Sequence, residues 1–306
     1  MPIGLNRKNG KNLLNNKRCK FTIIDIAVIG FIIAAIFLFF SRMSNTLDYQ
    51  WEWYSIPRYF FFLDSDTGKL KANILIKGFF TTIKLSFWAT LLGFFLGTIS
   101  GVMGAKGSFE QRFVSRTYVE LIRNIPSLVL MIIFYYFVSS QFLDSLHIDS
   151  RVRESSNIVQ QIISLFWAGP GQINAFISAV IALGIYEGAY VSEIVRGGIL
   201  SIHSGQWEAS FSIGLSKQKT FLLVILPQAF RKVAFPLAGQ FISTIKDSAI
   251  VSVISIQELT FQGMELMAAT FLTFEVWITI TALYFILTFP LSRSVAFLEK
   301  KYALKQ

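Results

Sequence analysis

Several uninterrupted runs of about twenty apolar residues limit this chain more than any other feature of it. A run of that length is long enough to cross a hydrocarbon layer of ~30 Å as a helix. Inside lipid there is no water to satisfy backbone amides, so such runs must be helical. The pattern predicts an all-α membrane protein with about six transmembrane helices, at 21–41, 74–104, 121–143, 171–195, 233–256 and 271–292. Composition agrees: 53% of residues are hydrophobic and only 15% charged, where a soluble chain carries about a quarter.

The amino terminus, basic over residues 7–20 and then apolar from Phe21 to Phe40, has the outline of a signal peptide. The apolar run is too long for one, since such h-regions span about 7–15 residues, and no small-residue cleavage site follows it. It reads as a retained helix. Lys and Arg set orientation through their excess on the cytoplasmic side. With both termini cytoplasmic, the inner segments hold eighteen of the 28 basic residues and the outer segments seven. That surplus faces anionic inner-leaflet lipid. It accounts for the net charge of +10 without nucleic acid as a partner.

Residues 49–62 hold eight aromatic side chains, which an interfacial belt explains most simply. Residues 144–170 form a second outer segment, polar at first and apolar over 158–167. It is too short to span and is expected to lie flat or re-enter. Gly93, Gly97 and Gly101 recur every four residues in the second span, a spacing that lets a neighbouring helix backbone approach closely. No Gly-x-x-x-x-Gly-Lys-Ser/Thr motif occurs, so the chain has no phosphate cradle of that kind. Cys19 is the single cysteine, and His147 and His203 are scattered; no metal site is predicted.

Between the fourth and fifth spans, residues 196–232 contain only one solid apolar run, Phe221–Leu226, which cannot cross a bilayer. The segment reads as two short helices. Ser204 is a good N-cap. Trp207, Phe211 and Leu215 fall on one face, with Glu208 beside them in the first turn, where its charge favours the helix dipole. Gly214 permits a left-handed turn. Ser216 caps a second helix that Pro227 is expected to stop. Basic residues are missing from the polar face of 204–214, unlike an interfacial helix; docking in a protein groove fits better.

Several stretches together resemble a known family. Gln206-Trp-Glu-Ala-Ser210, Gly214-Leu215 and Ile225-Leu-Pro-Gln-Ala-Phe-Arg231 look like the Glu-Ala-Ala loop of permeases in binding-protein-dependent ATP-binding-cassette importers. Gly188–Gly198, Arg123-Asn-Ile-Pro126, Ile245-Lys-Asp-Ser248 and Ser255-Ile-Gln-Glu-Leu259 look like the polar amino-acid group of that family. The resemblance covers roughly residues 72–300. It implies a coupling loop that docks in a cleft of a separate ATPase subunit. By position Glu208 would hold the loop's charged network, Ala209 and Ser210 would allow close approach, Gly214 would form the bend and Pro227 would end the second helix. Ser210 stands where the family's motif has a second Ala. The implied partners are a second permease subunit, identical or not, two ATPase subunits and an extracytoplasmic substrate-binding protein. ATP and Mg would be bound in the ATPase, with no cofactor on this chain. The location implied is the bacterial inner membrane, and the role is transport, not enzymatic.

The organisation that follows is a basic cytoplasmic tail (1–20), an extra helix (21–41), an outer aromatic-rich segment (42–70), a permease core (71–292) including the coupling loop 196–232, and a cytoplasmic tail (293–306). Charges within spans cost about 2.5–3.5 kcal/mol or more and are functional candidates. Lys84, Glu187, Lys246 and Asp247 are the candidates for a translocation path. Lys84 precedes the apolar stretch 85–105, from which a lysine can snorkel outward. Lys246 and Asp247 point about 100° apart on an ideal helix, so each needs another partner or the helix breaks there. For these four charges a structural network weighs at least as much as ligand contact. Two alternatives stand beside the amino-acid importer. One is an ion-coupled secondary transporter, which would normally show inverted repeats that are absent here. The other is an importer permease for a different small nutrient.

Overall fold

In the computed structural model, residues 23–46, 49–65 and 68–302 are described. Two units divide the chain, at Glu52 and Trp53. The first is a helix, α1 (Ile23–Thr46), followed by an edge-to-face pair of Tyr49 and Trp51. The tail 1–20 lies outside the described residues.

The second unit opens with a 3-10 turn (Trp53–Tyr59) and a short antiparallel hairpin, β1 (Phe61–Leu63) with β2 (Leu70–Ala72). This small sheet is a departure from the helical expectation. Everything after it is helical: α2 (Ile74–Lys106), α3 (Phe109–Asn124), α4 (Ser127–Ile133), α5 (Ile148–Glu154), α6 (Asn157–Phe166), α7 (Ile173–Leu200), α8 (Ser204–Ser212), α9 (Lys217–Thr220), α10 (Leu226–Asp247), α11 (Leu259–Thr270) and α12 (Thr273–Tyr302). Among the described residues, four helical segments are long and apolar enough to cross a membrane: α2, α7, α12 and the rod Lys217–Ile254. The pair α3 and α4 makes a fifth if the two together are one span.

The bundle is built on α2 and α7. A methyl group added at Gly97 would sit 2.5 Å from the Cβ of Val191 and 2.6 Å from the Gly188 carbonyl; at Gly101 it would sit 2.6 Å from the Ser192 carbonyl. The glycine row is therefore a helix-packing surface, as the spacing predicts. Hydroxyl groups join a third helix to this pair. Ser192 donates to Ser100 (2.9 Å), Ser115 of α3 donates to the Ser100 carbonyl (2.7 Å), and Tyr118 donates to the Ile185 carbonyl (2.6 Å).

Two expected helices differ from the sequence reading. The span at 121–143 is not one helix: α3 and α4 meet at a bend of 107°. Pro126 disfavours the helical region for the residue before it, and Ile125 is extended (φ −87°, ψ 132°). Pro227 does not stop the helix that begins at Lys217. The chain passes through π-type turns at Phe221–Ile225 and continues as α10, with Pro227 in its first turn. A proline is tolerated there because its missing N–H removes no needed bond, and π-turns already shift the bonding register. The break falls instead at Asp247, where α10 gives way to a 3-10 segment, Ser248–Ile254. That is one of the two outcomes the adjacent charges allow.

The segment 144–170 folds into α5 and α6. Asp149 accepts hydrogen bonds from the backbone N–H groups of Gly171, Ile173 and Asn174 and so caps α7. Trp88 of α2 donates to the Phe166 carbonyl (2.9 Å) and stacks on Trp167 at 4.7 Å. Helix α6 presents Ile158, Ile162 and Leu165 outward.

Candidate functional site: a coupling loop and a polar seam

The loop between α7 and the rod begins as the sequence suggests, one residue early. His203, not Ser204, is the N-cap, its Nδ1 accepting from the Gly205 N–H (3.1 Å). Glu208 thus lies in the second turn of α8 instead of the first. Gly214 has φ +81°, the left-handed conformation that costs a glycine nothing. Ser216 caps α9 by accepting from the Lys219 N–H at 3.4 Å. Glu208 and Ala209 are exposed, while Ser210 is buried with its hydroxyl donating to the Gln206 carbonyl (2.6 Å). Of the expected apolar stripe, Trp207 and Leu215 are half-buried and Phe211 is exposed, as is Ile213 at 77%. Pro227 is exposed as well. The loop therefore carries an outward apolar patch beside an acid.

Its inner side is anchored. Ile199, Ile202, Ile225 and Ala229 form a buried cluster against which Trp207 and Phe221 pack. Gln228 donates to Gln206 (3.1 Å), and Lys232 donates to the Ser201 carbonyl (2.8 Å). Glu193 and Arg196 form the expected pair near the C-terminal end of α7, at 2.7 Å.

The four candidate path residues do not meet at one point. Glu187 of α7 is buried, and its Oε2 accepts from Gln240 Nε2 of α10 at 2.7 Å. Asp247 lies near enough for the two acids to influence each other electrostatically. Lys246 is exposed. The Lys84 ammonium donates to the Ser164 carbonyl of α6 at 2.9 Å. It lines a cavity of about 180 Å³ with Gln172, Ser255 and Gln257. The set thus splits into a Glu187–Asp247 seam between α7 and α10 and a separate site at Lys84 against α6.

Sequence reasoning missed Glu258 as an individual site residue. It is fully buried at the start of α11. Its carboxyl group accepts from the N–H groups of Thr260 (2.9 Å) and Phe261 (2.8 Å), from the Tyr284 hydroxyl of α12 (2.8 Å) and from the Thr82 hydroxyl of α2 (3.4 Å). The only signal was its place within Ser255–Leu259. Among the described residues no group of three or more His, Cys, Asp or Glu could hold a metal ion.

Residues 89–304 match the family described as binding-protein-dependent transport system inner membrane component. The chain belongs to that family. This permease is 33% identical over 232 residues to the glutamine transport system permease protein GlnP of Escherichia coli (strain K12), covering 74% of this chain and 92% of the relative. It is 34% identical over 229 residues to the L-cystine transport system permease protein TcyB of Bacillus subtilis (strain 168), covering 74% and 86%. Its fold matches the crystal structure of an amino acid ABC transporter with histidines, with a TM-score of 0.63 at 29% identity over 83% of this chain and all of that one. An inward-facing MetNI methionine ABC transporter shares the fold at a TM-score of 0.51 and 17% identity, over 73% of this chain and 95% of that one. The permease is a multi-pass protein of the inner membrane, a transport component with no catalytic role implied by its family.

Proposed function

We propose that this permease is the membrane subunit of an ATP-driven importer of polar amino acids. The observation that carries the proposal is the loop 204–220: a capped helix, a left-handed glycine and an outward patch of Phe211 and Ile213 beside Glu208. Apolar surface rimmed by polar groups is the signature of a docking site, and an amphipathic helix laid in a groove is a common way to fill one. In this reading Glu208, Ala209, Ser210 and Gly214 engage a separate ATPase subunit, which binds ATP and Mg. Pro227 serves at the start of α10 and not as a stop.

The cargo follows from the glutamine and cystine permeases to which the chain is a third identical. A second permease subunit completes the path, and an extracytoplasmic binding protein delivers the substrate. Both termini are cytoplasmic, α1 is a sixth span outside the permease core of 71–292, and 42–70 lies outside the membrane. Glu187 and Asp247 line the path; Lys84 contributes from the outer side and Lys246 from an exposed position.

The test is uptake of labelled glutamine into vesicles holding the permease with its cognate ATPase and binding protein, in competition with a panel of amino acids. ATP-dependent uptake that Glu208→Lys abolishes is expected. Uptake by the permease alone, collapsing with an ion gradient, would instead establish a secondary transporter. ATP-driven uptake that no amino acid competes with would move the cargo to another nutrient.

A further inference from the structure

We infer that Lys106 is a clamp that fastens the coupling loop to α2, giving the loop a mechanical hold on a helix to which it has no close chain connection; the transport half of this inference rests on the proposed function. Helices α7 and α10 adjoin the loop in sequence. Helix α2 ends about a hundred residues before it, yet its last residue reaches in. The Lys106 ammonium lies 4.3 Å from the centre of the Phe221 ring and 4.9 Å from that of Trp207, and it donates to the Lys217 carbonyl at 3.0 Å. The two rings are 6.5 Å apart and only 24° from parallel. Trp207 belongs to α8, Lys217 to α9, and Phe221 opens the π-turns that lead into α10. One cation therefore touches all three parts of the loop.

Such a contact has direction. Cations are attracted to the faces of aromatic rings when the centroid lies within about 6 Å, and here two faces and a carbonyl converge on one ammonium. The loop contains Gly214 in a left-handed conformation, a point about which α8 can tilt relative to α9. Holding Trp207 and Phe221 to the same cation removes that freedom. At its other end α2 bears Thr82, which donates to Glu258 and accepts from the Leu259 N–H at 3.1 Å. A push on the loop is thereby passed through Lys106 to a helix that reaches α11. Lys106 acts through its neighbours and is a positioning residue.

The experiment compares Lys106→Met, Lys106→Arg and Trp207→Leu in the full-length permease. Backbone hydrogen exchange over 204–222 is measured on the permease in nanodiscs, and uptake per ATP hydrolysed is measured in the assembled importer. Lys106→Met and Trp207→Leu are expected to speed exchange in 204–222 at least fivefold and to lower uptake per ATP about tenfold. Arginine keeps the charge and stacks on aromatic faces, so Lys106→Arg stays within about twofold of wild type on both readouts. Unchanged exchange in Lys106→Met overturns the clamp, whatever the cargo. Faster exchange with unchanged uptake per ATP overturns the transmission. A wild-type assembly that imports no amino acid counts against the proposed function alone, and the exchange result still decides the clamp.

Discussion

Two acids in this bundle share a residue type and a nearly complete burial, and their surroundings differ. Glu258, at the start of α11, accepts hydrogen bonds from two backbone N–H groups and two hydroxyls, drawn from α11, α12 and α2. Glu187, between α7 and α10, accepts from Gln240, and its Oε1 has no hydrogen-bond partner among the described residues. Burial of a carboxyl group is costly unless its bonding capacity is met. At Glu258 the capacity is met, and the group holds three elements together. At Glu187 an acceptor is left free where two helices face each other.

The largest break in that comparison is Glu258→Ala. It leaves the Thr260 and Phe261 N–H groups without their acceptor and the Tyr284 hydroxyl with the Thr260 hydroxyl alone. A buried donor left unsatisfied costs about 1–3 kcal/mol, and two backbone donors lose their acceptor here. Thermal unfolding of the purified permease in detergent should show a matching fall in stability. A loss below about 1 kcal/mol would mean that α11 is held by apolar contacts around Leu259 and Leu266 and not by the carboxyl.

Next in size is Gly97→Leu. It tests whether the α2–α7 seam depends on backbone contact where the start of α11 depends on a carboxyl. A Cβ at 97 meets the Val191 Cβ and the Gly188 carbonyl at 2.5–2.6 Å, and neither can move without the α7 backbone. Overpacking of this kind costs about 1–3 kcal/mol. Unfolding should report it, and a chain that tolerates leucine here would show that α2 and α7 can separate.

How much of this was legible depends on the range over which each feature is written. The spans at α2, α7 and α12 are long local runs, and Gly214 is a local demand for a positive φ; both were readable. The bend at Ile125–Pro126 is also local, but the apolar pattern running through 121–143 outweighed the proline. At Pro227 the opposite error arose, because the π-turns that carry the helix past it have no distinctive residue pattern. Glu258 was hidden for another reason. Its partners Thr82 and Tyr284 lie 176 and 26 residues away, so no periodicity joins them. Lys84 went the same way: its acceptor, the Ser164 carbonyl, is 80 residues distant.

A smaller effect is expected from Tyr284→Phe, which removes one of the four donors to Glu258 and leaves the ring in place. A hydrogen bond of this kind contributes about 1–2 kcal/mol net. Thr260 would also lose its contact with the Tyr284 hydroxyl (2.9 Å). If stability falls as far as in Glu258→Ala, the tyrosine and not the acid is the centre of that anchor.

The smallest stability change belongs to Glu187→Gln. The amide oxygen can still accept from Gln240, and the new amide NH2 brings donors to a place that now has a free acceptor and a neighbouring acid. Removing one of two close acidic groups also relieves their mutual repulsion. Unfolding is therefore expected to stay within about 1 kcal/mol of wild type. Transport separates the two acids more sharply: a residue that only supports the fold would leave uptake as unchanged as stability. For Glu187→Gln, ATP-driven uptake should fall although the protein melts normally. Normal uptake together with normal melting would place Glu187 outside the path and leave Asp247 as its acidic member.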